Sequence, residues 1–344
     1  MKKLLRVLAL LSVLGLLALA AGFYDANRLL HQPLALEEVE RISIERGNRM
    51  RDVVYQLQAV DAFVTPRQGL YLLLLTRLRD QQARIKAGDF DLAPGTTPLQ
   101  ALRMFVEGRA VLSELRIPEG WRYAQLLDLV RIHPDLAHSL PDEVSPEQLM
   151  ALLGLPGQHP EGRFFPDTYR FTKGMRDLDF LRHAHSLMEK TLAAEWAQRA
   201  EGLPYADPAA ALTMASIVEK ETGAAYERPR IAGVFVRRLR LGMLLQTDPT
   251  VIYGLGDNFD GNLRRVDLRT DTPYNSYTRS GLPPTPICLP GRAAIHAALH
   301  PEDDGSVFFV ARGDGSHQFS KTLDEHNAAV RQYQLKGQPR RDSP

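Results

Sequence analysis

The sequence predicts an α+β protein: an N-terminal membrane helix, a small α+β module, and a larger mixed α+β domain closing with a β-hairpin and a helix. Three observations carry this. An uncharged apolar run, Val7 to Phe23, follows Lys2, Lys3 and Arg6. Short strand and helix patterns alternate between residues 39 and 116. Between Asp207 and Leu335 several helix start and stop signals precede two β-like runs around Gly313-Asp314-Gly315-Ser316.

The apolar run has 17 residues, the lower end of the roughly 17–25 that cross a hydrocarbon core. Basic residues lie before it and Asp25, Glu37, Glu38 and Glu40 after it. The positive-inside rule therefore places Met1 in the cytoplasm and the chain after Phe23 outside. Ala18-Leu19-Ala20 loosely fits a signal-peptidase site, but the run exceeds the roughly 7–15 residues of a usual signal core, so a retained anchor over 1–24 is expected. Residues 25–38 read as a linker, 39–116 as the small module, 117–336 as the larger domain and 337–344 as a basic tail.

In the module, Val39 to Ile44 alternates in polarity as a strand does. Asn48–Val60 places Met50, Val53, Val54, Leu57 and Val60 on one helical side, and Pro66–Ile85 is a leucine-rich helix. Gly88–Leu92 reads as a strand, Thr97-Pro98 as a helix start running to Val106, and Ala110–Ile117 as a strand. From Pro118 to Tyr205 the pattern is mainly helical with proline breaks. Helices follow over Pro208–Thr222 and Glu227–Leu241, and Asp248-Pro249 reads as cap and first turn of a third. Ser306–Arg312 and His317–Thr322 form the hairpin, and Thr322 with Glu325 a capping box for the last helix.

Composition removes several function classes. Lysine plus arginine (42) balances aspartate plus glutamate (41), so no general electrostatic drive toward nucleic acid exists, although Arg237, Arg238 and Arg240 could form a local basic patch. Cys288 is the only cysteine, which excludes an internal disulfide and a multi-cysteine zinc site. No P-loop, G-x-G-x-x-G or G-x-S-x-G occurs. His296 and His300 have a spacing two metal ligands could share, but they lack the glutamate of a zincin motif and Pro301 follows at once. They read as helix-end histidines, and no metal site is expected.

The chemistry-bearing candidate is Ala215-Ser216-Ile217-Val218-Glu219-Lys220-Glu221-Thr222. Two carboxyls stand at the end of an otherwise apolar helix, where burial raises a carboxyl pKa toward that of a usable general acid. Periodicity does not choose between them: Glu219 aligns with Leu212 and Ala215, Glu221 with Met214 and Ile217. On pattern alone both could instead solvate a helix end or pair with arginines. Gln246 and Thr247 precede the next helix, and Tyr274-Asn275-Ser276-Tyr277-Thr278 brings aromatic rings, an amide and hydroxyls of the kind that suit carbohydrate.

Four stretches in order resemble the YceG-like endolytic murein transglycosylases (the MltG family): Glu161-Gly162-Arg163-Phe164-Phe165-Pro166-Asp167-Thr168-Tyr169; the Ala215–Thr222 string; Leu245-Gln246-Thr247-Asp248-Pro249-Thr250-Val251-Ile252-Tyr253-Gly254; and Tyr274 to Thr278 with Gly281-Leu282-Pro283-Pro284. The resemblance covers nearly the whole chain. It implies a LysM-like module at 39–116, a transglycosylase domain at 117–336, Glu219 as the catalytic acid/base, and Gln246, Asn275 and Tyr277 as substrate-binding residues. It also implies cleavage of the MurNAc–GlcNAc β-1,4 bond to a 1,6-anhydro end, no cofactor, glycan strands and penicillin-binding proteins as partners, and a single-pass place in the inner membrane with the catalytic domain in the periplasm. Thr285 and Leu289 depart from the family pattern, as do Arg163 and Phe164. The aminodeoxychorismate lyase label that some members carry requires pyridoxal phosphate, and no glycine-rich phosphate loop is present. The competing class is a non-catalytic wall-binding scaffold at the membrane.

Overall fold

The computed structural model describes residues 2–81, 84–109 and 111–335; the tail at 337–344 and Ala110 lie outside them. The chain divides into two compact units. The first comprises residues up to 114 together with 135–137 and 170–175, and the second comprises 115–134, 138–169 and 176 onward.

In the first unit, α1 (Lys2–His31) contains a stretch, Leu10–His31, long and apolar enough to cross a membrane. Its last turns are not linker. Leu29 and Leu30 are buried, Gln68 donates to the Leu29 carbonyl at 3.0 Å, and Asp25 accepts from Arg67 and from the Tyr71 hydroxyl. β1 (Glu40–Ile44), α2 (Met50–Ala59), α3 (Pro66–Leu78) and β2 (Gly88–Leu92) follow, with β1 and β2 antiparallel and Ile42 opposite Phe90. Alternation sends Ile42, Ile44, Phe90 and Leu92 into the core, while Arg41 and Asp91 pair outward through two hydrogen bonds. The helix expected to reach Ile85 ends at Leu78, and Asp80 takes a positive φ. α4 (Pro98–Glu107) has the expected Thr97 cap, reciprocated by Gln100, and stops at left-handed Gly108. Phe105 meets Phe90 edge-on at 5.1 Å.

β3 (Leu112–Arg116) pairs with β5 (Thr168–Thr172), and β4 (Leu136–Ala137) pairs with β6 (Met175–Arg176). Between them lie α5 (Tyr123–Ile132) and α6 (Pro146–Leu153), so the region read as mainly helical also contributes short strands. The second unit continues with α7 (Asp177–Ala197), α8 (Pro208–Glu221), α9 (Arg228–Arg240), α10 (Asp248–Leu255), α11 (Arg265–Arg269) and α12 (Arg292–Leu299). It closes with the hairpin β7 (Phe308–Ala311) and β8 (His317–Ser320) and with α13 (Leu323–Tyr333). Thr322 and Glu325 form the expected capping box.

The centre of this unit is α8. Residues Ala211 to Val218 are all buried, which is why its polarity shows no clean stripe: a helix enclosed on every side is apolar all round. α12 and α9 pack on it, and the alanines of α8 and α12 permit a close crossing. α9 is held by an equally close approach. A Cβ at Gly233 would lie 1.9 Å from the Glu302 carbonyl oxygen, and the Glu302 amide donates to Pro229. The arginines read as a basic patch are committed internally. Arg237 pairs with Asp303 and Asp304, Arg238 donates to the Val307 and Leu245 carbonyls, and Arg240 to Gly202.

Gly233→Ala should therefore destabilise the protein at the upper end of the ~1–3 kcal/mol typical of overpacking, because the obstructing atom is backbone. Urea unfolding measures this, and unchanged stability would remove the claimed close approach.

Candidate active site

Asp207 caps α8 by accepting from the Ala210 amide at 2.8 Å, so the helix begins at a fixed residue and ends with both glutamates in its last turn. Two residues apart on a helix, their side chains leave in directions about 200° different. That angle separates their fates. Glu219, its side chain 6% exposed, has Arg228 at 3.2 Å and accepts from the Gly291 amide at 2.9 Å through its second oxygen; Glu221 is the more deeply buried of the two carboxyls. Glu221 faces a cavity of about 590 Å³ that Glu219 does not line.

The cavity gathers Glu221, Gln246, Asp248 and Tyr277 on one side, the hairpin residues Phe308, Phe309 and His317 on another, and His326, Asn327 and Gln334 of the last helix and its end. Thr247 donates from Oγ1 to Glu221 Oε2 at 2.7 Å. Asp248, expected to cap α10, is instead its first residue. The cap position belongs to Thr247, whose side chain makes no cap bond because it is used on Glu221. Asp248 in turn accepts from the Tyr277 hydroxyl at 2.6 Å. Asp248, which read as helix punctuation, is thus drawn into the site beside Thr247.

Gln246 lines the cavity with a left-handed backbone, φ +49°. For a residue other than glycine this is a sparsely populated state, of the kind that collects at functional sites. It is held by the Gln246 amide donating to the Ser276 carbonyl and the Thr247 amide donating to Ser276 Oγ. Asn275 is not in the cavity wall. It is fully buried; its amide nitrogen donates to the carbonyls of Asp267, Leu268 and Thr270, and its oxygen accepts from the Tyr277 amide. With both ends engaged it shapes the loop that carries Tyr277 and leaves nothing to offer a ligand. His317, missed in the sequence, is fixed by Glu227, which accepts from its backbone amide and contacts its ring nitrogen at 2.7 Å.

Raised carboxyl pKa values do not by themselves identify an acid here. Burial lifts Glu161 to about 7, and it lifts Glu219 and Glu221 as well. Glu161 is 1% exposed and accepts from the Tyr123 amide. At Glu219 the Gly291 amide and Arg228 pull back toward the charged form. At Glu221, Thr247 opposes burial while the nearby Asp248 charge reinforces it. Of the three, Glu221 combines a raised pKa with a face on the cavity.

A family model, the YceG-like family, matches residues 42–332. The chain belongs to the YceG-like family. An endolytic murein transglycosylase of Bacillus subtilis (strain 168) is 38% identical over 182 residues, covering 51% of this chain and 49% of the relative. One from Streptococcus pneumoniae serotype 2 (strain D39) is 25% identical, covering 95% of this chain and 65% of the relative. The chain thus spans about half the length of the first relative and about two thirds of the second. A crystal structure of a YceG-like protein from Listeria monocytogenes aligns with a TM-score of 0.53 at 29% identity, covering 85% of this chain and 99% of that one.

In this YceG-like chain the first-motif residues fall outside the cavity wall. Phe164 is buried core, and Arg163 reaches Glu189. Thr285, at a departure from the family pattern, contacts the Tyr274 hydroxyl at 2.8 Å, and Leu289 is buried. Away from the cavity, His296 Nδ1 lies 2.9 Å from Glu195 Oε2.

The Glu221 environment sets a pH signature. Below the pKa of an unfolded glutamate, about 4.3, folded and unfolded chains both hold the proton. As pH rises past that value the unfolded chain ionises freely and the folded chain, with its raised pKa, resists. Stability is therefore lost across the window between the two. Glu221→Gln removes this loss, so the variant should unfold at higher urea than the native protein at pH 7 and at nearly the same urea at pH 4. A difference independent of pH would contradict the raised pKa.

Proposed function

We propose that this chain is an endolytic murein transglycosylase whose acid/base is a carboxyl of the last α8 turn: the family resemblance points to Glu219, and the cavity lining points to Glu221. The observation that favours Glu221 is its place in the cavity wall, which Glu219 does not share. Glu219 is spent on Arg228 and Gly291. Glu221 meets an open cavity with one hydroxyl donor on it and a pKa raised by burial. The names of the Bacillus and Streptococcus relatives support the substrate.

A single carboxyl suffices for a lytic cut. Protonated Glu221 gives its proton to the oxygen leaving C1 of N-acetylmuramic acid, and the bond breaks through an oxocarbenium-like centre. The muramic acetamido group shares that charge. Glu221, now ionised and held by Thr247, accepts the proton of the same sugar's O6 hydroxyl as O6 closes on C1. The product is a 1,6-anhydro end, no water is consumed, and the carboxyl returns to its starting state. Such acid–base help is typically worth about 10²–10⁴ in rate. A glycosidase that uses water needs a second carboxylate as base or nucleophile; the Asp248 carboxylate here accepts from Tyr277. Gln246 and Tyr277 hydrogen-bond and stack with the sugar, and Phe308 and Phe309 offer apolar faces to its rings.

The antiparallel pair β1/β2 around two helices supports a LysM-like, glycan-holding role for residues 39–116. The apolar N-terminal helix supports single-pass anchoring in the cytoplasmic membrane, with the catalytic domain in the periplasm beside the penicillin-binding proteins that make the strands.

Mass spectrometry of fragments from purified sacculi tests the assignment. Native protein should release anhydro-ended muropeptides, Glu221→Gln should lose about 10²-fold or more, and Glu219→Gln should retain most activity. Products carrying an added water would mean a hydrolase, and an unchanged muropeptide profile with native protein a binder. Full activity in Glu221→Gln would return the role to another carboxyl.

A further inference from the structure

We propose that Glu195, His296 and His300 form a binding site for a late first-row divalent metal, of which Zn²⁺ is the natural probe; the inference stands independently of the catalytic reading. One ligand atom from each residue lies within 4.8 Å of the others. The Glu195 Oε2 to His296 Nδ1 separation is 2.9 Å, and the two imidazoles stack with centroids 4.3 Å apart at 29°. Ligands on a tetrahedral ion at ~2.0–2.1 Å stand roughly 3.4 Å from one another, a spacing that these separations bracket. Small ring rotations therefore bring the set together.

The donor chemistry selects the metal. Two imidazoles and one carboxylate suit Zn²⁺, Co²⁺ or Ni²⁺ and do not suit Mg²⁺ or Ca²⁺, which take mostly oxygen. The ligands come from the last turn of α7 and from α12 with its C-terminal cap, helices that already pack together within one unit. The site is thus supported before any ion arrives. Arg292 contacts the other Glu195 oxygen at 3.2 Å. It leaves Oε2 to the ion and orients the carboxylate, at the cost of some Coulombic attraction. With three ligands and half-open histidines the fourth position faces solvent, so the ion exchanges. Its physical effect is to clamp α7 to α12, the helix that packs on α8.

The test uses the full chain in detergent, with purification tags removed and metal stripped by chelator. Calorimetric titration with Zn²⁺ should show one saturable site, and Co²⁺ should give the visible absorption of a nitrogen–oxygen tetrahedral complex. Saturating Zn²⁺ should raise the unfolding temperature by mass action. His296→Ala, His300→Ala and Glu195→Gln should each weaken Zn²⁺ by about tenfold or more, with circular dichroism confirming an intact fold and His296→Gln replacing any alanine variant that fails it. No saturable binding below about 1 mM Zn²⁺, or equal binding in native protein and all three variants, would overturn the site.

Discussion

The hydroxyl of Thr247 donates 2.7 Å to the carboxyl of Glu221, and much of the second unit is arranged around that contact. It joins the end of the buried helix α8 to the start of α10. For Thr247 to reach, Gln246 before it adopts a left-handed backbone. Ser276 secures that turn by accepting from both residues, and Asn275 holds the Ser276 loop by engaging three carbonyls. The chain of dependencies runs from a buried amide to a strained turn to a single acidic group. Damage at any link moves the Glu221 carboxyl.

The two glutamates of the last α8 turn illustrate how one helix separates structure from chemistry. Both are desolvated and both have raised pKa values. A guanidinium and a backbone amide occupy Glu219 and anchor the helix end against the segment before α12. At Glu221 the Thr247 hydroxyl, followed by the nearby His317 and Arg238, favours the ionised form against burial. The Asp248 charge pushes in the same direction as burial, and Asp248 accepts from the Tyr277 hydroxyl, so the Glu221 carboxyl depends on the two residues that begin α10 or cap it.

Much of the fold was legible because its signals are local. The alternation at Glu40–Ile44, the Thr97-Pro98 start and the Thr322/Glu325 box each reappear as strand, cap and capping box. What escaped depends on distance. Residues 135–137 and 170–175 return to the first unit, and short strands with distant partners leave no periodic trace. Asp248 resembled a cap because the competing demand on Thr247 comes from Glu221, 26 residues away. Asn275 resembled a ligand because an amide near tyrosines is equally suited to sugar and to carbonyls; only burial distinguishes the two. The choice between Glu219 and Glu221 was beyond pattern altogether, since a helix enclosed on every side has no polar face to point outward. The resemblance selected Glu219 within this string, and the structure gives the two carboxyls different partners, Arg228 and the Gly291 amide at Glu219 and Thr247 at Glu221. Glu195 lies 101 residues before His296, so no spacing rule could have brought it to the histidine pair.

The central claim is that Glu221 holds its proton to a higher pH than an ordinary glutamate. Carbon-13 NMR titration of glutamate side-chain carboxyls in the native protein, with Glu221→Gln used to assign the resonance, reads this directly. The account predicts a Glu221 midpoint clearly above the ordinary value of about 4.3, moving downward in Asp248→Asn as the adjacent charge is removed. A Glu221 midpoint at or below the ordinary value would contradict it.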